Sequence, residues 1–319
     1  ISKGVYKVKT KIITITGAAG NIAYSLIFRI LSGNIFNQDT KIRINLLDIS
    51  STLPILLGVK LEIEDCAFKQ LEDVIITDKA DEAFADSDYI LLVGAKPRIK
   101  GMERADLLLD NANIFKAQAK IINDNAKKST KIVVVGNPAN TNALIIQSNA
   151  KDIPAINISS LMRLDQNRAK SILSSKTNNK VEDVSQLCVW GNHSATQYPD
   201  LSNTLIGNSN EKILALDPQW VSNEFIPRVQ NRGAEIIENR GKSSAASAAS
   251  AIYDHLDVLV NGSDDWESMG IMSQNPYDID DQLYFSYPLN IVNEKIEVIK
   301  NLQLSERSIE YIKISEKEL

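Results

Sequence analysis

The sequence predicts an α/β fold, a doubly wound parallel sheet followed by a second domain of mixed α+β type. Three observations predict it. The stretch KIITITGAAGNIA at 11–23 breaks an apolar run with glycines and then resumes at helical spacing, so it reads as a strand, a tight turn and the start of a helix. Apolar, β-rich runs at 12–16, 43–47, 74–77, 89–93, 132–135 and 156–159 alternate with helical stretches or loops, as parallel strands joined by crossovers do. Past Ser160 the strands shorten, Asn and Ser become frequent, and long helical stretches appear at about 161–176, 219–239 and 243–260. The change of texture places one domain at 1–160 and a second at 161–319.

In chain order, Gly17 supplies the backbone angles that the first turn needs, and Gly20 removes a side chain where a pyrophosphate would approach. Ala23 is small enough for the helix to pack closely on its strand. The unpaired N–H groups of that helix start, at the positive end of its dipole, suit an anionic phosphate, although the same spacing also fits an ordinary tight turn. The second run, IRINLLD, ends in Asp48. A carboxylate at that strand tip can accept hydrogen bonds from both ribose hydroxyls of an adenosine and would repel a 2′-phosphate, which favours NAD over NADP. Gly94 and Gly136 each follow an apolar strand, where a bare backbone lets a flat ring or a ribose come close; both also fit simple turns. After Met102, Leu108, Ala112, Phe115, Ala119 and Ile122 fall on one helical face and read as core. The small-residue stretch at 243–251 suits close helix packing, and the tail SERSIEYIKISEKEL reads as an amphipathic helix.

Composition narrows the function classes. A net charge of −5, with aromatic residues not interleaved with Lys or Arg, argues against a nucleic-acid partner. No apolar run approaches the roughly 20 residues that a bilayer span needs. Cys66 and Cys188 lie far apart without C-x-x-C spacing, so the expectation is two free, buried thiols in a reducing, cytoplasmic compartment, with no disulfide framework and no metal site. The chain begins at Ile1 without an apolar segment, which leaves room for residues upstream.

Three segments carry candidate chemistry. His193, in VWGNHSATQYP, follows an apolar strand in a loop, where folds present reactive groups, whereas His255 sits within a helical stretch and reads as structural. In LMRLDQNRA, Asp165 and Arg168 are three apart and share a helix face. An Asp accepting one imidazole proton would fix the His193 tautomer and raise its basicity, but the pair also fits a surface ion pair. In GAKPRIKGMERADLL, after the fourth strand, Arg98 and Arg104 flank a glycine in a polar loop that could hinge over a site, and arginine grips carboxylates bidentately.

Together TGAAGNIAYSL, LLDI, PRIKGMERADLL, VVVGNPANTNAL, LMRLDQNRAKS and WGNHSATQYPD resemble the malate dehydrogenase family in its cytosolic-type branch, in the same order over nearly the whole chain. The resemblance implies a Rossmann NAD domain, then a substrate domain, in a homodimer acting on malate and oxaloacetate. It implies His193 as proton donor and acceptor oriented by Asp165, and Arg168 gripping the carboxylate beside the reacting carbon. Arg98 would read the distal carboxylate, with Arg104 also on the closing loop and Asn137 touching substrate and nicotinamide ribose; Ser244 is a weaker candidate for the pocket wall. Gly17, Ala18, Ala19, Gly20, Asn21, Ile22, Ala23, Asp48, Gly94, Asn111, Gln118, Val135, Gly136 and Asn137 would line the NAD site. Three positions depart from the family pattern: Asn21 replaces a frequent glutamine, Ile99-Lys100 replaces an Arg-Glu pair, and the end at Leu319 shortens the last helix. The rival expectations are a lactate dehydrogenase-like enzyme, which would need no cation for a distal carboxylate, and a non-catalytic dinucleotide-binding protein.

Overall fold

The computed structural model describes residues 9–96 and 104–319, and the chain divides into two compact units. The first comprises Ile1–Gly136 and Ile145–Asn157; the second comprises Asn137–Leu144 and Ile158–Leu319.

The first unit runs β1 (Thr10–Thr16), α1 (Asn21–Ser32), β2 (Lys41–Leu47), α2 (Leu53–Asp65), β3 (Leu71–Thr77), α3 (Ala80–Phe84), β4 (Tyr89–Leu92), α4 (Arg104–Asn125) and β5 (Lys131–Val134). Its strands are parallel and lie in the order β3-β2-β1-β4-β5. Strand order therefore reverses between β1 and β4, which opens a crevice at their carboxyl ends. Ile13 and Ile15 of β1, Ile44 and Leu46 of β2, and Ile90 and Leu91 of β4 are all fully buried, as expected where helices cover both faces of a parallel sheet. On α4, Phe115, Ala119 and Ile122 are in the core as their spacing predicts, but Leu108 is 41% exposed and Ala112 only half-buried. The apolar stripe therefore begins later on the helix than the expected face.

The second unit takes the start of α5 (Ala139–Asn149), then β6 (Ile158–Leu161), α6 (Arg163–Thr177), β7 (Val184–Ser185), β8 (Cys188–Trp190), β9 (Tyr198–Asp200) and β10 (Leu205–Ile206). Helices α7 (Glu211–Leu214), α8 (Pro218–Trp220), α9 (Ile226–Arg240) and α10 (Ala246–Asn261) follow, then β11 (Glu267–Met272), β12 (Tyr284–Val292), β13 (Lys295–Val298) and α11 (Glu306–Glu318). Strands β6, β11, β12 and β13 form an antiparallel sheet, while β8 and β9 form a hairpin. The sixth predicted run thus begins at 158 instead of 156, after a short 3₁₀ turn, and pairs antiparallel with β11. The helix expected over 219–239 is broken: Asp217 caps the short α8, a π-wound turn follows, and Pro227 opens α9 proper. At the tail, Ser305 caps α11 by accepting the Ser308 N–H at 3.1 Å. Cys188 is buried and Cys66 exposed, which corrects the expectation that both thiols are buried.

Candidate functional site

In the first unit the chemistry gathers at the crevice between β1 and β4. Gly17 has φ +63°, and a Cβ there would lie 2.5 Å from Gly94 Cα; a Cβ on Gly94 would lie 2.8 Å from Gly17 N. The two glycines allow the turn after β1 and the end of β4 to meet backbone to backbone. Beside them is a cleft of about 630 Å³, lined among others by Asp48, Asp78, Ile114 and Gln118, a volume within the ordinary range for small-ligand pockets. The Asp48 carboxylate accepts from Ala19 N at 2.9 Å and Ile49 N at 2.8 Å, tying the glycine turn to the tip of β2. Gln118 presents a buried Oε1 with no hydrogen-bond partner, an acceptor waiting for a donor. Helix α1 starts without a side-chain cap, and both Gly20 and Asn21 are exposed at that start.

Other predicted cofactor residues also make contacts within the unit. Ala18 and Ala23 are wholly buried, Ile22 is half-buried, and the Ala18 N–H is taken by Leu47 O at 3.3 Å. Asn111 is spent on the main chain of Lys96: it accepts from Lys96 N at 2.8 Å and donates to Lys96 O at 3.3 Å. A Cβ on Gly136 would sit 2.9 Å from both Ala95 Cβ and Phe115 Cζ, so packing alone demands glycine there. Val135 and Gly136 both donate their N–H to Leu92 O at 3.0 Å. Arg98 lies outside the described residues, as do Ile99 and Lys100; Arg104 opens α4.

In the second unit, β6 ends and α6 begins within two residues, which puts Asp165 in the first helical turn, where the helix dipole favours a carboxylate. Asp165 is fully buried. Its Oδ2 meets His193 Nδ1 at 2.5 Å, and its Oδ1 accepts from Arg168 Nη1 at 2.9 Å. The two sequence readings of Asp165 are therefore both present, and the ion pair is an interior one. Burial alone would raise the Asp165 pKa, but the charge and hydrogen bond of His193, with Arg168 and Gln197 adding to them, hold it below the usual value. Burial likewise presses the His193 imidazole down, yet the charge and hydrogen bond of Asp165 outweigh both that and the opposing Arg168 charge, so its pKa is raised. Arg168 keeps a buried Nε with no partner beside this pair.

His193 rides the loop of the β8–β9 hairpin, just past Gly191 at φ +98°. Asn140, near the start of α5, accepts from His193 N at 3.0 Å and donates to Gly191 O at 3.3 Å and Tyr284 O at 2.9 Å. Sequence reasoning missed this anchor, although Asn140 lies inside the quoted NPANTNAL segment; it also missed Gln197 within WGNHSATQYPD. Asn137 is exposed in this unit, and Ser244 is half-buried before α10 with no hydrogen bond to the His193–Asp165–Arg168 set. His255 is buried, its Nε2 2.9 Å from Ser159 Oγ, in keeping with a structural role.

A family model for the lactate/malate dehydrogenase NAD binding domain matches residues 10–159, and one for the lactate/malate dehydrogenase alpha/beta C-terminal domain matches 162–319. The chain belongs to the lactate/malate dehydrogenase family. A malate dehydrogenase from Naegleria fowleri is 44% identical, with a TM-score of 0.93 over 97% of this chain and 95% of that one. A Trichomonas vaginalis lactate dehydrogenase in complex with NADH and oxamate is 36% identical, with a TM-score of 0.92 over 97% and 96%. A Plasmodium falciparum malate dehydrogenase shares the fold at 20% identity and a TM-score of 0.83 over 97% and 96%.

Membership makes this dehydrogenase chain an oxidoreductase with NAD as its cofactor. The observed crevice fits that group: the cleft opens beside the turn after β1 where Gly17 and Gly94 meet, Gln118 offers an unpartnered acceptor, and carboxylates face the cleft where an adenosine ribose needs acceptors. Among the described residues no acidic, Cys or His cluster could hold a metal, and no helix is long and apolar enough to cross a membrane.

Proposed function

We propose that the chain is an NAD-dependent malate dehydrogenase, interconverting malate and oxaloacetate. The observation that carries the choice within the family is Arg98 in PRIKGMERADLL: a second guanidinium answers a distal carboxylate, which pyruvate does not have. The 44% identity to a malate dehydrogenase supports the same choice, and the 36% identity to a lactate dehydrogenase makes the substrate the point to test.

NAD, when bound, supplies or takes up the hydride. The chain supplies the rest. With Nδ1 bonded to Asp165, the His193 ring has Nε2 left for substrate; protonated, it donates to the keto oxygen, and neutral, it removes the hydroxyl proton in the reverse direction. Arg168, charged, with an unpartnered Nε, binds the carboxylate next to the reacting carbon. Asn137 contacts the substrate, with Ser244 at the pocket wall, while Arg98 and Arg104 close over it and exclude water. Asp48 binds the adenosine ribose and disfavours a 2′-phosphate. The reading includes a cofactor domain at 1–160, a substrate domain at 161–319, and a cytoplasmic homodimer, the dimer resting on the family resemblance alone.

The test is Arg98→Gln. It is expected to lower kcat/KM for oxaloacetate by roughly 100-fold, the scale of a lost charged contact, and to improve pyruvate turnover relative to it. An unchanged substrate preference would refute the malate assignment. Wild-type protein with no turnover on any keto acid would favour the non-catalytic alternative.

A further inference from the structure

The loop carrying His193 is held from two sides, and only one of them is Asn140. On the other side stands α11. Asn192 N donates to Ser315 Oγ at 2.8 Å, and Asn192 Nδ2 donates to Glu318 Oε2 at 3.0 Å. The hydroxyls of Ser194 and Thr196 donate to that same Glu318 oxygen, and Thr196 Oγ1 also lies 3.1 Å from Ser315 Oγ. Residues 192, 194 and 196 bracket His193, so one carboxylate oxygen gathers the loop on both sides of the imidazole without touching the ring. Ser315 is fully buried, and a Cβ on Gly191 would lie 2.1 Å from its Oγ, so α11 packs where only a residue without a side chain fits at 191. A carboxylate in the last turn of a helix opposes the helix dipole, and three converging donors offset that cost.

We propose that Glu318 and Ser315 are positioning residues, which hold the 192–196 loop so that His193 Nδ1 meets Asp165 before substrate arrives. This inference rests on the reading of His193 as the proton-transferring group. Preorganisation of this kind matters because small displacements of a reacting group cost large factors in rate. The groups facing the imidazole itself are Asp165 and Arg168; Glu318 acts on it only through the loop.

The test compares Glu318→Ala, Glu318→Gln and Thr196→Val in the whole chain by steady-state kinetics and by NMR titration of the imidazoles. His255 has its pKa pushed down to about 3 while that of His193 is raised, so the two imidazoles titrate apart and can be told from each other. Glu318→Ala is expected to reduce kcat roughly tenfold with the KM for NADH unchanged, and to move the His193 titration toward its ordinary value. Glu318→Gln, which keeps an acceptor oxygen, should restore most of both. Should Glu318→Ala not fold, Thr196→Val should give the same two changes at smaller size. A wild-type kcat and an unmoved titration in Glu318→Ala, or in Thr196→Val where it must stand in, would overturn the proposal. If the wild-type protein turns over no keto acid, the catalytic reading fails, and the His193 titration in the variant still decides whether the clamp exists.

Discussion

At the scale of single residues the chemistry turns on Asp165, which raises the pKa of His193 while sharing its other oxygen with Arg168. Replacing it by Asn keeps the shape but reverses the hydrogen-bonding demand on the imidazole, and the prediction is a loss of about 10³–10⁴ in kcat. Removing one partner of a buried charged set also destabilises, by roughly 3–5 kcal/mol, so chemical denaturation should accompany the kinetics. The sign of the pH dependence follows from the raised His193 pKa. Keto-acid reduction needs the protonated ring, so kcat/KM in that direction falls as pH rises through a value above 6.5, while hydroxy-acid oxidation rises over the same range. A reduction limb that falls only well below 6.5 would contradict the assignment.

At the scale of elements, the turn between β1 and α1 works because Gly17 and Gly94 touch backbone to backbone. Gly94→Ala places a methyl 2.8 Å from Gly17 N, where backbone must move, so NADH affinity is expected to fall at least tenfold while keto-acid chemistry per bound cofactor changes less. Fluorescence titration with NADH checks this; unchanged affinity would show that the contact does not shape the cleft. The left-handed backbone at Gly17 was legible in the glycine spacing, whereas the tie from Asp48 to Ala19 N and Ile49 N was not, since a carboxylate at a strand tip reads the same whether it faces a ribose or a turn. Less legible was what each side chain does in the fold. Asn111 and Gly136, expected at the cofactor lining, also pin Lys96 and fit against Phe115, contacts set by tertiary packing that spacing does not encode. Asn140 was hidden for the same reason: its three partners lie 51, 53 and 144 residues away.

At the scale of the molecule, strand and helix alternation was enough to predict the doubly wound sheet, because parallel strands covered on both faces leave long apolar runs. It did not predict that 137–144 belong with the second unit, since a helix start reads the same whichever side it packs on. Global stability also carries the buried titration of His255, which the alternation could not show. Burial pushes the His255 pKa down to about 3, from near 6.5 when unfolded, so its contribution to stability is complete above 6.5 and is lost as pH falls toward 3, by an amount on the order of several kcal/mol. His255→Gln should flatten that slope in acid denaturation; an unchanged slope would mean the imidazole is not held neutral.

The most direct measurement is the initial rate of NADH oxidation by the purified chain with oxaloacetate, with pyruvate, and with NADPH replacing NADH. Fast turnover of oxaloacetate with NADH is expected, with at least 100-fold slower turnover of pyruvate and weak use of NADPH. Preference for pyruvate, or no oxidation with any keto acid, would contradict the malate assignment.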